Sequence, residues 1–291
     1  METIKSAGLM TGAMAGFATG DALIKKVSTT LSTGQIMLIL GSGGMIVFAI
    51  VLKLKGQPLL TSVFWNRTVM VRNGFEMLSA LLMVTALSRV QFTSLTVVLQ
   101  ATPLLVTAGA ALVLGMVVGW RRWTAIFVGF VGVLLILRPG LEDFDPNTLF
   151  ALGAAISLAA RDLSTRAIPH KVDSVVLAFY GFAAIVPMGL ITLTFDGPSG
   201  SWSYDSAAFM LAAIALTAIA YYAITAAMRI GDISAVAPFR YTRLIFGLII
   251  GLIVFGESLD GMAIVGATLI LGSGLYTLSR ESLAAMPSRS R

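Results

Sequence analysis

Apolar stretches of about 20 residues recur from one end of this chain to the other, each long enough to cross a hydrocarbon core of roughly 30 Å as a helix. Ten can be drawn, at about 6–26, 33–54, 68–88, 91–113, 122–138, 147–168, 173–195, 205–228, 233–255 and 261–279. A soluble globule cannot cover that much apolar surface: 57% of the 291 residues are hydrophobic, 12% are charged, and the mean hydropathy is +0.91. The expectation is an all-α integral membrane protein with little chain outside its spans. The first stretch is rich in glycine and carries Asp21, so it reads as a retained helix and not as a cleaved signal. There is no cysteine, which excludes disulfides, thiol catalysis and cysteine-ligated metals.

A net charge of +6 and a pI near 9.8 would suit a nucleic-acid partner, but the placement of the basic residues argues against one. With the N terminus inside, thirteen Lys and Arg fall in cytoplasmic segments, from Lys5, Lys53 and Lys55 through Arg121 and Arg122 to Arg289 and Arg291. Only Lys25, Lys26, Arg89 and Arg138 fall outside. This asymmetry places both termini in the cytoplasm. Arg161, Arg240 and Arg243 are left over, all inside predicted helices.

Sliding the chain against itself by 141 positions aligns the five early spans with the five late ones without a gap. Gly12 meets Gly153, Asp21 meets Asp162, Ser62 meets Ser203 and Gly115 meets Gly256. Each unit holds an odd number of spans, so the second enters the membrane from the opposite side. The expected fold is therefore ten transmembrane helices in two inverted five-helix repeats, residues 1–141 and 142–291, around a central cavity. The acidic linker "LEDFDPNT" joins them outside. Two like units facing opposite ways supply two conformations of similar energy, the basis of alternating access.

The stretches "TAIFVGFVGVLLILRPG" at 124–140 and "FGESLDGMAIVGATLILGSGLYTLSRE" at 255–281 resemble the ends of the two repeats in EamA-type transporters of the drug/metabolite transporter superfamily. There each repeat tends to close its fourth helix with Gly-Glu, as Gly256 and Glu257 do; in the first copy Gly115 is followed by Met116. The resemblance covers nearly the whole chain. It implies export of amino acids or related small metabolites from the cytoplasm through the bacterial inner membrane. It also implies no ATPase subunit and no cofactor.

Charges at bilayer depth cost at least about 2.5 kcal/mol each, so they face a partner or a wet cavity. Arg240, Tyr241 and Arg243 lie roughly 12–16 Å into the ninth helix and share one broad face if it is continuous. A guanidinium there suits a substrate carboxylate; an ion pair with Asp162 or Glu76 is the competing role. Gln100, which the repeat shift equates with Tyr241, sits one turn before Pro103, and Pro103 and Pro238 should each remove a backbone hydrogen bond and bend their helix. Gln100 either lines the cavity or bonds a neighbouring helix. Tyr221 and Tyr222 are adjacent, so one of them faces the cavity. Arg161 is expected to reach across helices or to water. Asp162 is expected to neutralise Arg166 one turn on, as Asp21 would Lys25. Arg72 and Glu76 are likewise four apart, and Glu76 and Asp162 are the candidates for proton coupling.

Other features carry little chemistry. His170 reads as a loop residue, no metal-ligand or nucleotide-binding motif occurs, and the four Trp fall at helix ends as an interfacial belt. Gly8, Gly12, Gly16 and Gly20 form a smooth patch that wraps the first helix, read as an internal sliding surface in preference to a dimer contact. The competing function is export of lipophilic cations, which an arginine-rich cavity would repel. An intramembrane enzyme lacks a paired nucleophile and base.

Overall fold

A computed structural model of the chain describes residues 2–140, 144–169, 171–196, 202–230 and 236–285. His170, Arg289, Arg291 and the first half of the acidic linker lie outside the described residues. The described residues are helical throughout, with no strand. The helices are α1 (Glu2–Val27), α2 (Thr33–Leu54), α3 (Arg67–Arg89), α4 (Phe92–Leu99), α5 (Thr102–Val113), α6 (Trp120–Leu137), α7 (Thr148–Arg166), α8 (Ser174–Phe195), α9 (Tyr204–Ile230), α10 (Thr242–Phe255) and α11 (Gly261–Ala285). A 3-10 turn at Ser62–Trp65 precedes α3, and another at Ala237–Tyr241 precedes α10.

Their ends follow local chemistry. Ser32 and Gln35 form a reciprocal capping box at the start of α2, and the carboxylate of Asp173 accepts from the Val175 amide at the start of α8. Gly256 stops α10 in the left-handed region, at φ 64°, which only glycine adopts without strain.

Both prolines lie at helix interruptions, where the sequence predicts a bend. Pro103 brings no N–H, and the chain tightens at Gln100 and Ala101, whose amides bond back only three residues, before α5 begins. Pro238 sits in the 3-10 turn before α10.

Eight helical spans are long and apolar enough to cross a bilayer: α2, α3, α4–α5, α6, α8, α9, the 3-10 turn with α10, and α11. Two of the ten expected spans, α1 and α7, fall short of that measure because of the charge they carry, and both are packed against other helices. The four main pairings are α1 with α9, α2 with α8, α3 with α7 and α6 with α11.

Glycine allows the closest of these approaches. A Cβ on Gly132 of α6 would lie 2.6 Å from the Gly266 carbonyl oxygen of α11, and one on Gly266 would lie 2.6 Å from that of Gly132. In α1, Gly16 and Gly20 pack on Ala220 and Thr217 of α9, whereas Gly8 and Gly12 face open space. The glycine run is thus an internal contact over its second half only. The described tryptophans are all exposed at helix ends, as an interfacial belt requires.

Candidate functional site

Three elements bring five charged side chains together. Arg72 and Glu76 come from α3, Arg161 and Asp162 from α7, and Arg240 from the 3-10 turn, with Tyr221 of α9 beside them. Arg72 pairs with Glu76 at 3.2 Å, the i, i+4 contact that the sequence predicts. Its other nitrogens donate to Thr165 Oγ1, Asn73 Oδ1 and the Leu177 carbonyl, each at 3.1 Å. Arg161 reaches across to Glu76 Oε1 at 3.1 Å and grips Asp162 Oδ1 with Nη2 at 2.7 Å and Nε at 3.0 Å.

Arg240 stands 3.8 Å from Asp162 Oδ2, beyond hydrogen-bond reach. Its side chain is the most accessible in the cluster, at 42%, against 5% for Arg72. Gly181 of α8 closes the opposite flank, where a Cβ would sit 3.2 Å from Arg72 Nη1 and 3.3 Å from Glu76 Oε2. Any larger residue there would press on the pair.

The cluster differs from the sequence expectation at several residues. Arg243 pairs with neither Asp162 nor Glu76: it forms an ion pair with Asp21 of α1 and stands over the Phe17 ring. Arg240 and Arg243 do not share a face, because the break behind Pro238 sends Arg240 toward α7 and Arg243 toward α1.

The two local pairs also fail. Asp162 turns to Arg161 and Arg240 while Arg166 is exposed. Lys25 leaves Asp21 for the carbonyls of Val90 (2.6 Å) and Leu87 (3.3 Å) and for Glu257 (3.8 Å). A surface i, i+4 pair contributes only about 0.2–0.5 kcal/mol, and interior partners outweigh it.

Of the adjacent tyrosines, Tyr221 is inside, donating to the Ser174 carbonyl at 3.2 Å, and Tyr222 is 70% exposed and outside the cluster. Gln100 bonds a neighbouring element: its Nε2 donates to the Tyr241 carbonyl at 3.2 Å. Tyr241 is buried and lies over Gly274 of α11.

Sequence reasoning missed Asn73, the neighbour of Arg72 on α3, as well as Thr165 and the Leu177 carbonyl, which complete the Arg72 shell; for the last two, nothing in their spacing points to an arginine on another helix. It also missed how Glu257 acts. Its carboxylate accepts from the amides of Phe92 and Thr93, both at 2.8 Å, and so caps α4 from across the molecule.

A recess of about 310 Å³ lies at the far end of α1, lined by Lys25, Lys26, Leu87, Ser88, Val254 and Phe255. Its polar groups are already engaged: Lys25 as above, Lys26 over the Phe209 ring, and Ser88 with the Thr85 carbonyl. The cluster, with open polar atoms, is the better candidate. No group of acidic or histidine side chains that would hold a metal occurs among the described residues.

The EamA-like transporter family model matches this chain twice, over residues 4–138 and 147–279. The chain belongs to the EamA-like transporter family. It is accordingly a multi-pass membrane protein.

This EamA protein is similar to an S-adenosylmethionine uptake transporter of Rickettsia felis, 29% identical over 66% of this chain and 65% of the relative. It is also similar to a riboflavin transporter of Vibrio cholerae, 30% identical over 63% of this chain and 61% of that protein. The matched region thus spans a little under two thirds of these relatives. A solved crystal structure shares the fold, with a TM-score of 0.65 over 96% of this chain and 99% of that one at 17% identity. These relatives are named for S-adenosylmethionine and riboflavin, so amino-acid export finds no support among them.

Proposed function

We propose that this EamA-family protein carries a polar metabolite bearing a planar heterocycle across the bacterial cytoplasmic membrane, inward, by alternating access. The observation that carries this reading is the mixed-charge cluster of Arg72, Glu76, Arg161, Asp162 and Arg240, gathered from α3, α7 and the broken end of α10. Intramembrane charges of this kind mark substrate paths, and interrupted helices mark binding sites in carriers built from repeats.

S-adenosylmethionine and riboflavin, the compounds for which the relatives are named, share a planar heterocycle on a polar chain. Uptake is the direction in the Rickettsia felis relative's name and replaces the export inferred from resemblance. Three arginines against two acids disfavour a lipophilic cation as cargo.

The ten-helix, two-repeat arrangement, with both termini cytoplasmic, belongs to the same proposal. The two separate family matches support it, as do the four main helix pairings, which are unchanged when each span is exchanged for its counterpart five spans on. Lys55 with Asp173, and Arg138 with Asp260, join loops that this topology puts on the same side. α1 and α7 then cross the membrane with their charges paired inside.

The test is uptake by proteoliposomes of labelled S-adenosylmethionine, riboflavin, amino acids and ethidium. Accumulation of either of the first two is expected. Accumulation of amino acids or ethidium alone overturns the proposal.

A further inference from the structure

Within the cluster, hydrogen bonding is complete everywhere but at one place. All three nitrogens of Arg72 and of Arg161 have acceptors, and both oxygens of Glu76 are taken. Asp162 Oδ1 receives two bonds from Arg161. Within the cluster, the one carboxylate oxygen without a hydrogen bond to a described residue is Asp162 Oδ2, and the one guanidinium without one is Arg240. They face each other at 3.8 Å.

A stretched pair with open partners on both sides costs desolvation that its own Coulomb attraction does not fully recover. A ligand that offers an anion to the one and a donor to the other would complete both. Resting on the carrier reading above, we infer that Asp162 and Arg240 form a clamp for an α-ammonium carboxylate end on the ring-bearing substrate. Arg240 takes the carboxylate and Asp162 Oδ2 takes the ammonium.

The rest of the cluster fits that role. Arg161 fixes Asp162 through Oδ1 and leaves Oδ2 directed at the open side. Glu76 is held from both sides by Arg72 and Arg161, so it does not compete for Arg240. Arg240 sits on a 3-10 turn ahead of α10, where a short backbone adjustment draws it toward a ligand. A guanidinium prefers a carboxylate bound through two parallel hydrogen bonds, a geometry that lysine cannot reproduce.

The clamp selects between the two named cargo types. S-adenosylmethionine ends in an α-ammonium carboxylate, whereas riboflavin has no charged end. A site built to bond both charged groups discriminates against a ligand that lacks them.

The test is competition against labelled S-adenosylmethionine in proteoliposomes holding the full chain. The competitors are S-adenosylhomocysteine, 5′-methylthioadenosine, which keeps the ring and sugar without the aminoacyl end, and riboflavin. The wild type is expected to favour S-adenosylhomocysteine over 5′-methylthioadenosine at least tenfold. Arg240→Gln should collapse that ratio to within about twofold while the 5′-methylthioadenosine competition stays as in the wild type, and Arg240→Lys should recover part of it.

Equal competition in the wild type, or full discrimination in Arg240→Gln, overturns the clamp. Uptake of riboflavin without S-adenosylmethionine overturns the clamp and leaves the carrier reading standing. Failure to take up either compound overturns both.

Discussion

Gln100 and Tyr241 are 141 residues apart and joined by a hydrogen bond, from the Gln100 side-chain amide to the Tyr241 carbonyl at 3.2 Å. This is the offset at which the two halves of the sequence align. Each residue ends a broken helix, so the bond ties the two breaks together at the place where the chain's two halves meet. Replacing Gln100 with Leu keeps the volume and leaves the Tyr241 carbonyl without that donor. A single hydrogen bond contributes about 0.5–1.5 kcal/mol net, so thermal unfolding in detergent should occur a few degrees lower than in the wild type. An unchanged midpoint would mean that water replaces the bond.

Asp21 and Arg243 form a second buried pair, outside the charge cluster. Removing one partner of such a pair strands the other charge at a cost on the order of 3–5 kcal/mol, whereas removing both is far less costly. Asp21→Asn and Arg243→Met should each lower stability, and the double variant should be more stable than the sum of the single losses predicts. Strict additivity in the double-mutant cycle would show that the pair is not formed.

The sequence supplied eight of its ten spans, the positions of both proline interruptions, the Arg72–Glu76 pair and the rule that only one of Tyr221 and Tyr222 turns inward. Those depend on hydropathy, on a missing N–H and on helical angle, all of which are local. It did not supply the partners of Asp21, Lys25, Asp162 and Arg243. Each had an acceptable neighbour four residues away or on a presumed common face; Asp21, Lys25 and Arg243 chose partners distant in sequence, and Asp162 chose the adjacent Arg161 together with the distant Arg240. Spacing does not encode which helices pack together, and a break of one turn at Pro238 is enough to redirect Arg240 and Arg243 to different neighbours.

Glu257 links three parts of the fold: it caps α4 through Phe92 and Thr93 and stands 3.8 Å from Lys25 of α1. Loss of a capping side chain costs about 1 kcal/mol. Glu257→Ala should therefore destabilise the protein by that order, and Glu257→Gln, which keeps one acceptor, by less. Equal stability of the two variants would assign the effect to the charge and not to the cap.

The loop carboxylate of Asp260 is held below its ordinary range by the Ala263 amide, at 2.8 Å, and by the Arg138 guanidinium. A carboxyl depressed in the folded state contributes stability above the unfolded value, about 3.9, and loses it as pH falls through the lower folded value. The melting temperature should hold steady between about pH 7 and 5 and fall below about pH 4. That fall should be shallower in Asp260→Asn, by a small amount because the site is exposed. An identical acid limb in wild type and variant would contradict the assignment.

The central claim is that cargo binds at the mixed-charge cluster, and uptake by Asp162→Asn tests it most directly. This substitution preserves shape and removes the charge that Arg161 and Arg240 share. In proteoliposomes with matched amounts of monodisperse protein, initial uptake of the transported compound should fall at least tenfold, or about 1.4 kcal/mol. Uptake at the wild-type rate would place the binding site elsewhere in the molecule.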